Sequence, residues 1–131
     1  MCIFCDIIDH KIPSRVVYEN DDVLAILDIS QVTYGHTIVM PKKHFRNILE
    51  ADDKSVSECI KAARIVSGMA VNNCHAKGVN VLNNCGETAG QTVDHLHFHV
   101  IPRYGRNDSI HISFNPSEKQ DLDAVLAMLK G

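Results

Sequence analysis

The segment HLHFHV, residues 95–100, alternates imidazole and apolar side chains at every second position. Because successive side chains of a β-strand point to opposite faces, this period predicts a strand that carries His95, His97 and His99 on one face. The three apolar residues of the same segment would lie on the other face and pack into a core. The chain is therefore expected to build a sheet with a covered apolar face, while the imidazoles face something else.

Other strand-like runs surround this segment without alternating regularly with helices. RVVYE at 15–19 and VLAILDI at 23–29 are separated by the turn signal NDD, which predicts a hairpin. HTIVM at 36–40 predicts a third strand, and GVNVLNN at 78–84 predicts a further one. Strands that come in runs around one long helix are typical of an α+β fold with an antiparallel sheet, here of about five strands, rather than of a doubly wound parallel sheet.

Three helices are expected beside this sheet. A short N-terminal helix ends before Pro13, and the main helix is expected at 53–74, where acidic residues open a run of apolar residues at near-helical spacing. A C-terminal helix is expected behind a capping box that runs from Ser117 to Gln120.

Composition restricts the partners and the compartment of the protein. The net charge of −3 and the pI near 6.2 provide no basic surface for a nucleic-acid backbone, although they are compatible with a small phosphate ligand. Without a shift in composition or a low-complexity run, residues 1–131 are interpreted as one domain. The chain shows neither a signal-peptide pattern nor an apolar run of about 18 residues, so we expect a cytoplasmic protein without a membrane partner.

The five cysteines are expected to be reduced thiols, since an odd number without a secretion signal does not form a disulfide framework. The pair Cys2-x-x-Cys5 is therefore interpreted as metal-binding or redox-active rather than as a structural disulfide.

The loop before the histidine segment, GETAGQT at 86–92, indicates a use for the imidazoles. A turn rich in Gly and Thr can present backbone N–H groups and a hydroxyl to an anion, so beside aligned imidazoles it predicts a phosphate site. With a pKa of about 6.5, a histidine is largely neutral at pH 7 and its ring nitrogen can attack phosphorus. His97, which has a triad histidine on either side, is the candidate nucleophile, and His99 is expected to bind or polarise the phosphate. A merely polar strand face and structural metal binding are the other interpretations open at this point.

The segment HLHFHVIPR resembles the signature of the histidine triad family, in which three histidines alternate with apolar residues. The resemblance continues through AGQTVDHLHFHV, LDISQVTYGHTIVMPKKH and CIFCDII, which occur in family order and span nearly the whole chain. It implies a single histidine triad domain, a homodimer with paired sheets, and a nucleotide hydrolase or transferase that works at the α-phosphate through a covalent nucleotidyl-histidine. The implied nucleophile is the second histidine of the triad, His97, in agreement with the choice made from the alternation.

The resemblance also implies which residues bind the nucleotide. It places Asp28 on the ribose hydroxyls, from which a carboxylate can accept hydrogen bonds. An ordinary turn residue at a strand end is the simpler interpretation of that position. Thr92 stands where many members of the Hint branch have serine, so a hydroxyl is retained as a catalytic group beside His97 and His99. The implied nucleotide contacts are Phe4, Ile7, Leu27, Asp28, Ile29, Ile38, Asn84, Gly90, Gln91, Thr92, His97 and His99.

A zinc site is implied by the same resemblance. One C-x-x-C pair offers only two of the four ligands of a closed tetrahedral site, so histidines must complete it. Many bacterial members of the family use a histidine after the PK strand and the first histidine of the triad, which correspond here to His44 and His95 beside Cys2 and Cys5. Four protein ligands leave no open position, so the zinc would be structural. Unmetallated cysteines and a thioredoxin-type redox pair are the alternatives.

The predicted function is hydrolysis of purine nucleoside phosphoramidates or dinucleoside polyphosphates, with release of a nucleoside monophosphate. The alternatives are a Fhit-like diadenosine polyphosphate hydrolase, a non-enzymatic regulatory protein that binds purine nucleotides, and a plain zinc protein. The chain has no tryptophan, so the C-terminal Trp contact of some Hint-branch enzymes is missing and the leaving-group preference stays open. His99 stands where the related uridylyltransferases carry Gln, which favours hydrolysis over nucleotidyl transfer.

Overall fold

A computed structural model describes residues 1–131 and contains one five-stranded sheet and three α-helices. The elements in chain order are α1 Ile3–Ile8, β1 Val16–Glu19, β2 Val23–Leu27, β3 Thr37–Pro41, α2 Asp53–Cys74, β4 Gly78–Leu82, a 3₁₀ turn Glu87–Ala89, β5 Phe98–Arg103 and α3 Leu122–Lys130. All neighbouring strands pair antiparallel, in the spatial order β1-β2-β3-β5-β4. The predicted α+β class with an antiparallel sheet is therefore confirmed.

Asn20 closes the hairpin between β1 and β2. Its side-chain carbonyl accepts hydrogen bonds from the backbone N–H groups of Asp22 (2.8 Å) and Val23 (2.9 Å). This is an Asx turn, in which a side-chain oxygen takes the place of a backbone acceptor. Since the chain reverses here, β2 returns beside β1 and pairs along its other edge with β3. The hairpin predicted from the NDD signal is confirmed.

Helix α2 packs on one face of the sheet through small side chains. Asp52 caps its start by accepting a hydrogen bond from the N–H of Ser55 (2.8 Å), and His75 ends it in the left-handed conformation at φ 62°. Ile60, in the middle of the helix, faces away and is 47% exposed. The small side chains let the helix approach the sheet closely. The buried positions of α2 are Cys59, Ala62, Ala63, Val66 and Ala70.

The two faces of the sheet carry separate apolar clusters. Leu96, Phe98 and Val100 pack beneath α2, so the apolar half of the HLHFHV alternation faces the main core as predicted. The opposite face packs against α1, whose Phe4 and Ile7 join a second cluster with side chains of β2 and β3. The triad histidines lie on this α1 side, since the ring of Phe4 stands edge-on to the rings of two of them.

The strand that carries the histidines begins later than the sequence predicts. β5 starts at Phe98 rather than at His95, because the backbone N–H of Leu96 donates to the carbonyl of Phe45 (2.7 Å), outside the strand ladder. The strand then continues to Arg103, where it pairs with β4. The alternation of faces nevertheless persists through the irregular segment, so the imidazoles still share one side.

Helix α3 is exposed along its whole length. Asp121 caps its start, and the carboxylate accepts hydrogen bonds from the N–H groups of Asp123 (3.1 Å) and Ala124 (3.3 Å). The predicted capping box is therefore wrong, because Ser117 lies upstream of the cap and its hydroxyl donates to the carbonyl of Glu118 (3.3 Å) instead. None of the helices combines the length with the apolar character that a bilayer crossing requires.

Candidate functional site

Four metal-ligating side chains converge at α1, namely Cys2, Cys5, His44 and His95. Nδ1 of His95 lies 3.4 Å from Sγ of Cys2 and 3.6 Å from Sγ of Cys5. Nδ1 of His44 lies 3.3 Å from Sγ of Cys5 and 3.1 Å from Nδ1 of His95. Metal–ligand bonds of about 2.0–2.1 Å to nitrogen and about 2.3 Å to sulfur, in tetrahedral geometry, require N···S separations of about 3.5 Å and N···N separations of about 3.3 Å. The cluster can therefore hold a metal ion, and it consists of the four residues that the sequence indicated.

The protonation of the cluster supports the same use. Nε2–H of His95 donates to the carbonyl of Pro41 (2.8 Å), so the lone pair lies on Nδ1, the nitrogen that faces the cysteines. Burial lowers the pKa of His95, which keeps the ring neutral and able to coordinate. Burial, and next the neighbouring Cys2, raise the pKa of Cys5 to about 11. Two thiolates held together here need a positive charge beside them, which a metal ion supplies.

His97 is oriented by hydrogen bonds to the protein backbone. Its Nδ1–H donates to the carbonyl of His95 (2.7 Å), so the lone pair of the neutral ring lies on Nε2. The side-chain amide of Asn83 donates to the carbonyl of His97 (2.9 Å) and holds the backbone there, a contact that the sequence did not reveal. Burial lowers the pKa of His97 below its usual value, so Nε2 is available to attack at pH 7.

His99 contacts a histidine from outside the triad segment. Nδ1 of His99 lies 2.9 Å from Nε2 of His36, and the carboxylate of Asp28 lies 3.7 Å from the same nitrogen of His36. Burial, and then the charges of His97 and His36, lower the pKa of His99 to about 4. Burial also lowers the pKa of His36, which is 3% exposed. The imidazoles around this point are therefore neutral at pH 7, and their chemistry depends on which nitrogen carries the proton.

A cavity of about 630 Å³ adjoins His97 and His99, the second and third histidines of the triad. It is lined by α1, by β2 with the turn that follows it, and by His97 and His99 of the triad, and most of its walls are apolar. This size and character are typical of small-molecule sites. Nine of the twelve expected nucleotide contacts line it, namely Phe4, Ile7, Leu27, Asp28, Ile29, Ile38, Thr92, His97 and His99. The sequence did not reveal the polar wall residues Ser14, Arg15, Gln31 and Tyr34.

The three remaining expected contacts shape the loop of residues 86–92 instead of lining the cavity. The side chain of Gln91 is buried, where its oxygen accepts from the N–H of Gly86 (2.8 Å) and its nitrogen donates to two backbone carbonyls. The amide of Asn84 donates to the carbonyl of Gly90 (3.4 Å), and Gly90 adopts φ 98°, a left-handed conformation that favours glycine. These contacts hold the loop so that Thr92 reaches the cavity.

A family model described as HIT domain matches residues 9–106. The chain belongs to the HIT family. An uncharacterized HIT-like protein of Methanocaldococcus jannaschii is 44% identical over 131 residues, which is 100% of both chains. A HIT family protein of Bacillus anthracis, solved by crystallography, superimposes on this HIT protein with a TM-score of 0.92 at 41% identity and covers 98% of this chain and 94% of that one. The resemblance to the histidine triad family and the fold that it implies are confirmed.

Two relatives of this HIT protein carry names that state an activity. An adenosine 5'-monophosphoramidase of Candida albicans is 32% identical over 95% of this chain and 84% of that protein. An adenylylsulfatase of Arabidopsis thaliana is 34% identical over 81% of this chain and 54% of that protein. A solved Zn-bound histidine triad family protein of Mycobacterium smegmatis has a TM-score of 0.79 at 33% identity, with 98% of this chain and 95% of that chain covered. The family thus includes nucleotide hydrolases and a member that binds zinc.

Proposed function

We propose that this HIT protein hydrolyses a purine nucleoside phosphoramidate or a dinucleoside polyphosphate at the α-phosphate and releases a nucleoside monophosphate. The observation that carries the proposal is the hydrogen bond from Nδ1–H of His97, a wall residue of the cavity, to the carbonyl of His95, because it leaves the lone pair of the neutral ring on Nε2. A nitrogen nucleophile that is neutral at pH 7 needs no separate base to remove a proton before it attacks.

The proposed reaction consists of two displacements at phosphorus. Nε2 of His97 donates its lone pair to phosphorus, and the bond to the leaving group breaks with its electron pair, after which the leaving group takes up a proton. The nucleotidyl-imidazole carries a positive charge, which the carbonyl of His95 stabilises through the Nδ1–H bond. Water then attacks the same phosphorus and loses a proton, and the P–N electron pair returns to Nε2. The products are a nucleoside monophosphate and the original enzyme.

The walls of the cavity match the parts of a nucleotide. Apolar side chains such as Phe4 and Ile38 suit the faces of a purine base, and Asp28 suits the ribose hydroxyls, which donate to a carboxylate. The hydroxyl of Thr92 and the imidazole of His99 supply donors for phosphate oxygens, whose negative charge spreads in the transition state. We infer phosphoramidates as the preferred class, because the Candida albicans relative is named for that activity.

We further propose that the cluster of Cys2, Cys5, His44 and His95 holds a structural zinc ion. Four protein ligands complete a tetrahedron and leave no position for a substrate. The Zn-bound relative from Mycobacterium smegmatis supports the choice of metal. Because the two thiols must stay reduced to coordinate, we place the protein in the cytoplasm.

A homodimer is the proposed assembly. Three apolar side chains of α3, those of Leu122, Met128 and Leu129, are 77%, 83% and 81% exposed. Exposed apolar side chains gathered on one helix are typical of an interaction surface, and a second copy of the chain is the proposed occupant. Light scattering should give twice the chain mass of 14.6 kDa, and a single species at the chain mass would contradict the dimer.

The deciding experiment is to incubate the purified protein with an adenosine phosphoramidate and, separately, with a diadenosine polyphosphate. Denaturing quench at alkaline pH, followed by peptide mass spectrometry, identifies any adenylylated residue. We expect an adduct on His97, and we expect His97→Ala to lose turnover while it still binds AMP. His111→Ala, in the exposed segment before α3, is the matched control and should retain turnover.

The possible results separate the candidate functions. Turnover by His97→Ala would refute the assignment of His97 as the nucleophile. The substrate that is hydrolysed faster identifies the leaving-group class. AMP binding without an adduct or turnover in the parent protein would refute the hydrolase and favour a regulatory nucleotide-binding protein.

A further inference from the structure

We propose that Arg15 selects the base of the nucleotide and favours a 6-oxopurine, such as guanine or hypoxanthine, over adenine. This preference rests on the function proposed above, because a purine nucleotide must occupy the cavity for its base to be selected. Arg15 is the only Arg or Lys among the residues that line the cavity, and Asp28 is the only carboxylate. The guanidinium of Arg15 pairs with no carboxylate of the chain, so its N–H donors are available to a ligand.

The register of the sheet places Arg15 at the end of the cavity farthest from the triad. Paired residues form one row across four strands, which runs from β5 to β1 through His99, Ile38, Ile26 and Val16. The first three of these side chains line the cavity, and Arg15 directly precedes Val16 at the edge of the sheet. Since neighbouring strands lie about 4.8 Å apart, the row spans roughly 14 Å.

The N-terminal segment covers the sheet along the same direction. Phe4, at the start of α1, stands edge-on to the ring of His97, with centroids 5.0 Å apart. The chain then passes Ile7 and Ile12, which also line the cavity, and reaches Arg15. Both walls of the cavity therefore lead from the triad to Arg15. A nucleotide with its phosphate at His97 extends its base toward Arg15.

Asp28 lies between the two ends of the cavity and orients the nucleotide. Strand β2 ends at Leu27, whose backbone N–H donates to the carbonyl of Arg15 (3.0 Å), and Asp28 follows directly. A ribose bound to Asp28 therefore has its phosphate on one side, at the triad, and its base on the other, beside Arg15. Position 6 of a purine lies on the side of the ring system away from N9, the atom bonded to ribose. The substituent at position 6 thus points to the far end of the cavity.

The substituent at position 6 distinguishes the two classes of purine. In guanine and hypoxanthine it is a carbonyl that accepts hydrogen bonds, and the neighbouring N7 accepts as well. In adenine it is an amino group that donates. A guanidinium only donates, and its planar fork matches O6 and N7 of guanine. Adenine would place its amino group against the same donors, so Arg15 favours the 6-oxopurine.

The other polar wall residues that the sequence did not reveal do not discriminate in this way. The hydroxyls of Ser14 and Tyr34 can both donate and accept, so either substituent suits them. The side-chain amide of Gln31 is already engaged within its turn, since its oxygen accepts from a backbone N–H (2.8 Å) and its nitrogen donates to a backbone carbonyl (2.7 Å). The choice between O6 and N6 therefore depends on Arg15.

Calorimetry with GMP, IMP and AMP on the full-length, metal-loaded protein measures the preference without any turnover. We expect GMP and IMP to bind about 5-fold more tightly than AMP, at the lower end of the range for a bidentate pair because Arg15 is exposed. IMP lacks the 2-amino group of GMP. A preference shown by GMP alone would therefore assign the selection to that group and contradict the role of Arg15. Equal affinities for the three nucleotides would overturn the proposal.

Variants of two exposed arginines test whether Arg15 is the source of the preference. Arg15→Ala should make the three affinities equal and leave that for AMP within about twofold of the parent value. Arg64→Ala removes an exposed cation from α2, on the other face of the sheet, and is the matched control that should keep the 5-fold preference. If Arg15 only attracted the phosphate, Arg15→Ala would weaken all three nucleotides by the same factor, and that result would contradict base selection.

Base selection and hydrolysis can fail separately. A parent protein that prefers GMP and IMP to AMP but hydrolyses no nucleotide substrate would refute the hydrolase and support base selection. Hydrolysis through His97 together with equal affinities for the three nucleotides would support the hydrolase and refute base selection. A parent protein that binds none of the three would overturn both.

Discussion

The imidazole rings of His97 and His99 stand edge to face, with centroids 5.1 Å apart and planes inclined at 71°. At this separation both rings can contact one phosphate group, but protonating one disfavours protonating the other, because like charges in a partly buried site repel. Burial is the largest cause of the lowered pKa of each ring, and the pKa of His99 falls to about 4. The site is built from neutral imidazoles, so their protonation at low pH destabilises the folded state.

Acid is expected to destabilise the protein through these histidines. The pKa values of His36, His97 and His99 in the folded protein lie below the usual value of about 6.5. The unfolded chain therefore binds more protons than the folded one at pH values from about 6.5 down to about 4. The free energy of unfolding should be highest above about pH 6.5, should fall as the pH falls from there toward the folded-state values, and should level off below them. Denaturant titrations of the metal-loaded protein between pH 7.5 and 5.5 measure this slope.

A pair of variants isolates the contribution of His99 to that slope. His99→Asn removes a group with a strongly lowered pKa, so its stability should depend less steeply on pH than that of the parent. His111→Asn removes an exposed histidine and should retain the parent slope. The same slope in His99→Asn as in the parent would show that His99 does not oppose protonation in the folded state.

Removal of the proposed zinc ion is expected to loosen α1 and weaken nucleotide binding together. Sγ of Cys2 accepts from the N–H of Cys5 at the start of α1, and Phe4 and Ile7 of this helix line the cavity. Because structural metal binding contributes several kcal/mol of folding free energy, a strong chelator should lower the melting temperature by roughly 10 °C. It should also reduce the affinity for AMP, measured by calorimetry.

Cysteine variants show whether the chelator acts through this cluster. Cys5→Ser should melt at a lower temperature than the parent and should not respond further to chelator. Cys74→Ser lies outside the cluster, so it should respond as the parent does. A chelator that leaves both the melting temperature and the AMP affinity of the parent unchanged would rule out the metal as a structural element.

The secondary structure was predictable where local patterns mark both ends of an element. The bounds of α2 agree with the pattern at 53–74, since acidic residues open the helix and the apolar spacing spans it. The start of β5 was missed because it depends on a hydrogen bond between Leu96 and Phe45, which are distant in sequence. The cap of α3 was misplaced because Asp121 competes with Ser117 as a capping residue, and the structure uses the carboxylate nearer to the helix.

The candidate site, too, was predictable from the sequence only in part. The triad and the cysteine pair are visible in the sequence because their residue types and spacing are unusual and local. The contact of His36 with His99 joins residues 63 positions apart, and the bond of Asn83 to the carbonyl of His97 requires β4 to lie beside β5. Gln91 has a polar side chain suited to a ligand, but backbone partners in the fold occupy it. Such contacts depend on topology, which periodicity alone does not determine.

The buried face of α2, which carries small side chains, is expected to tolerate no larger residue. Ala63 is buried against the sheet, so Ala63→Leu should lower the free energy of unfolding by about 1–3 kcal/mol through overpacking. Ile60→Ala, on the exposed side of the same helix, should change it by less than about 1 kcal/mol. Urea titrations at constant m-value measure both. Equal destabilisation by the two substitutions would contradict the packing of α2 described above.

Asp28 is expected to recognise the ribose through one carboxylate oxygen. Oδ1 accepts from the N–H of Ser30 (2.8 Å), while Oδ2 lies near Nε2 of His36, and the residue lines the cavity. Asp28→Asn retains an acceptor for Ser30 but removes the charge, so AMP binding should weaken about 10-fold, or about 1.4 kcal/mol. Calorimetry with AMP and with 2′-deoxy-AMP isolates the hydroxyl contact, because the two ligands differ only there. The parent should prefer AMP and the variant should bind both ligands with similar affinity; a variant that keeps the full preference would place the ribose hydroxyl on another residue.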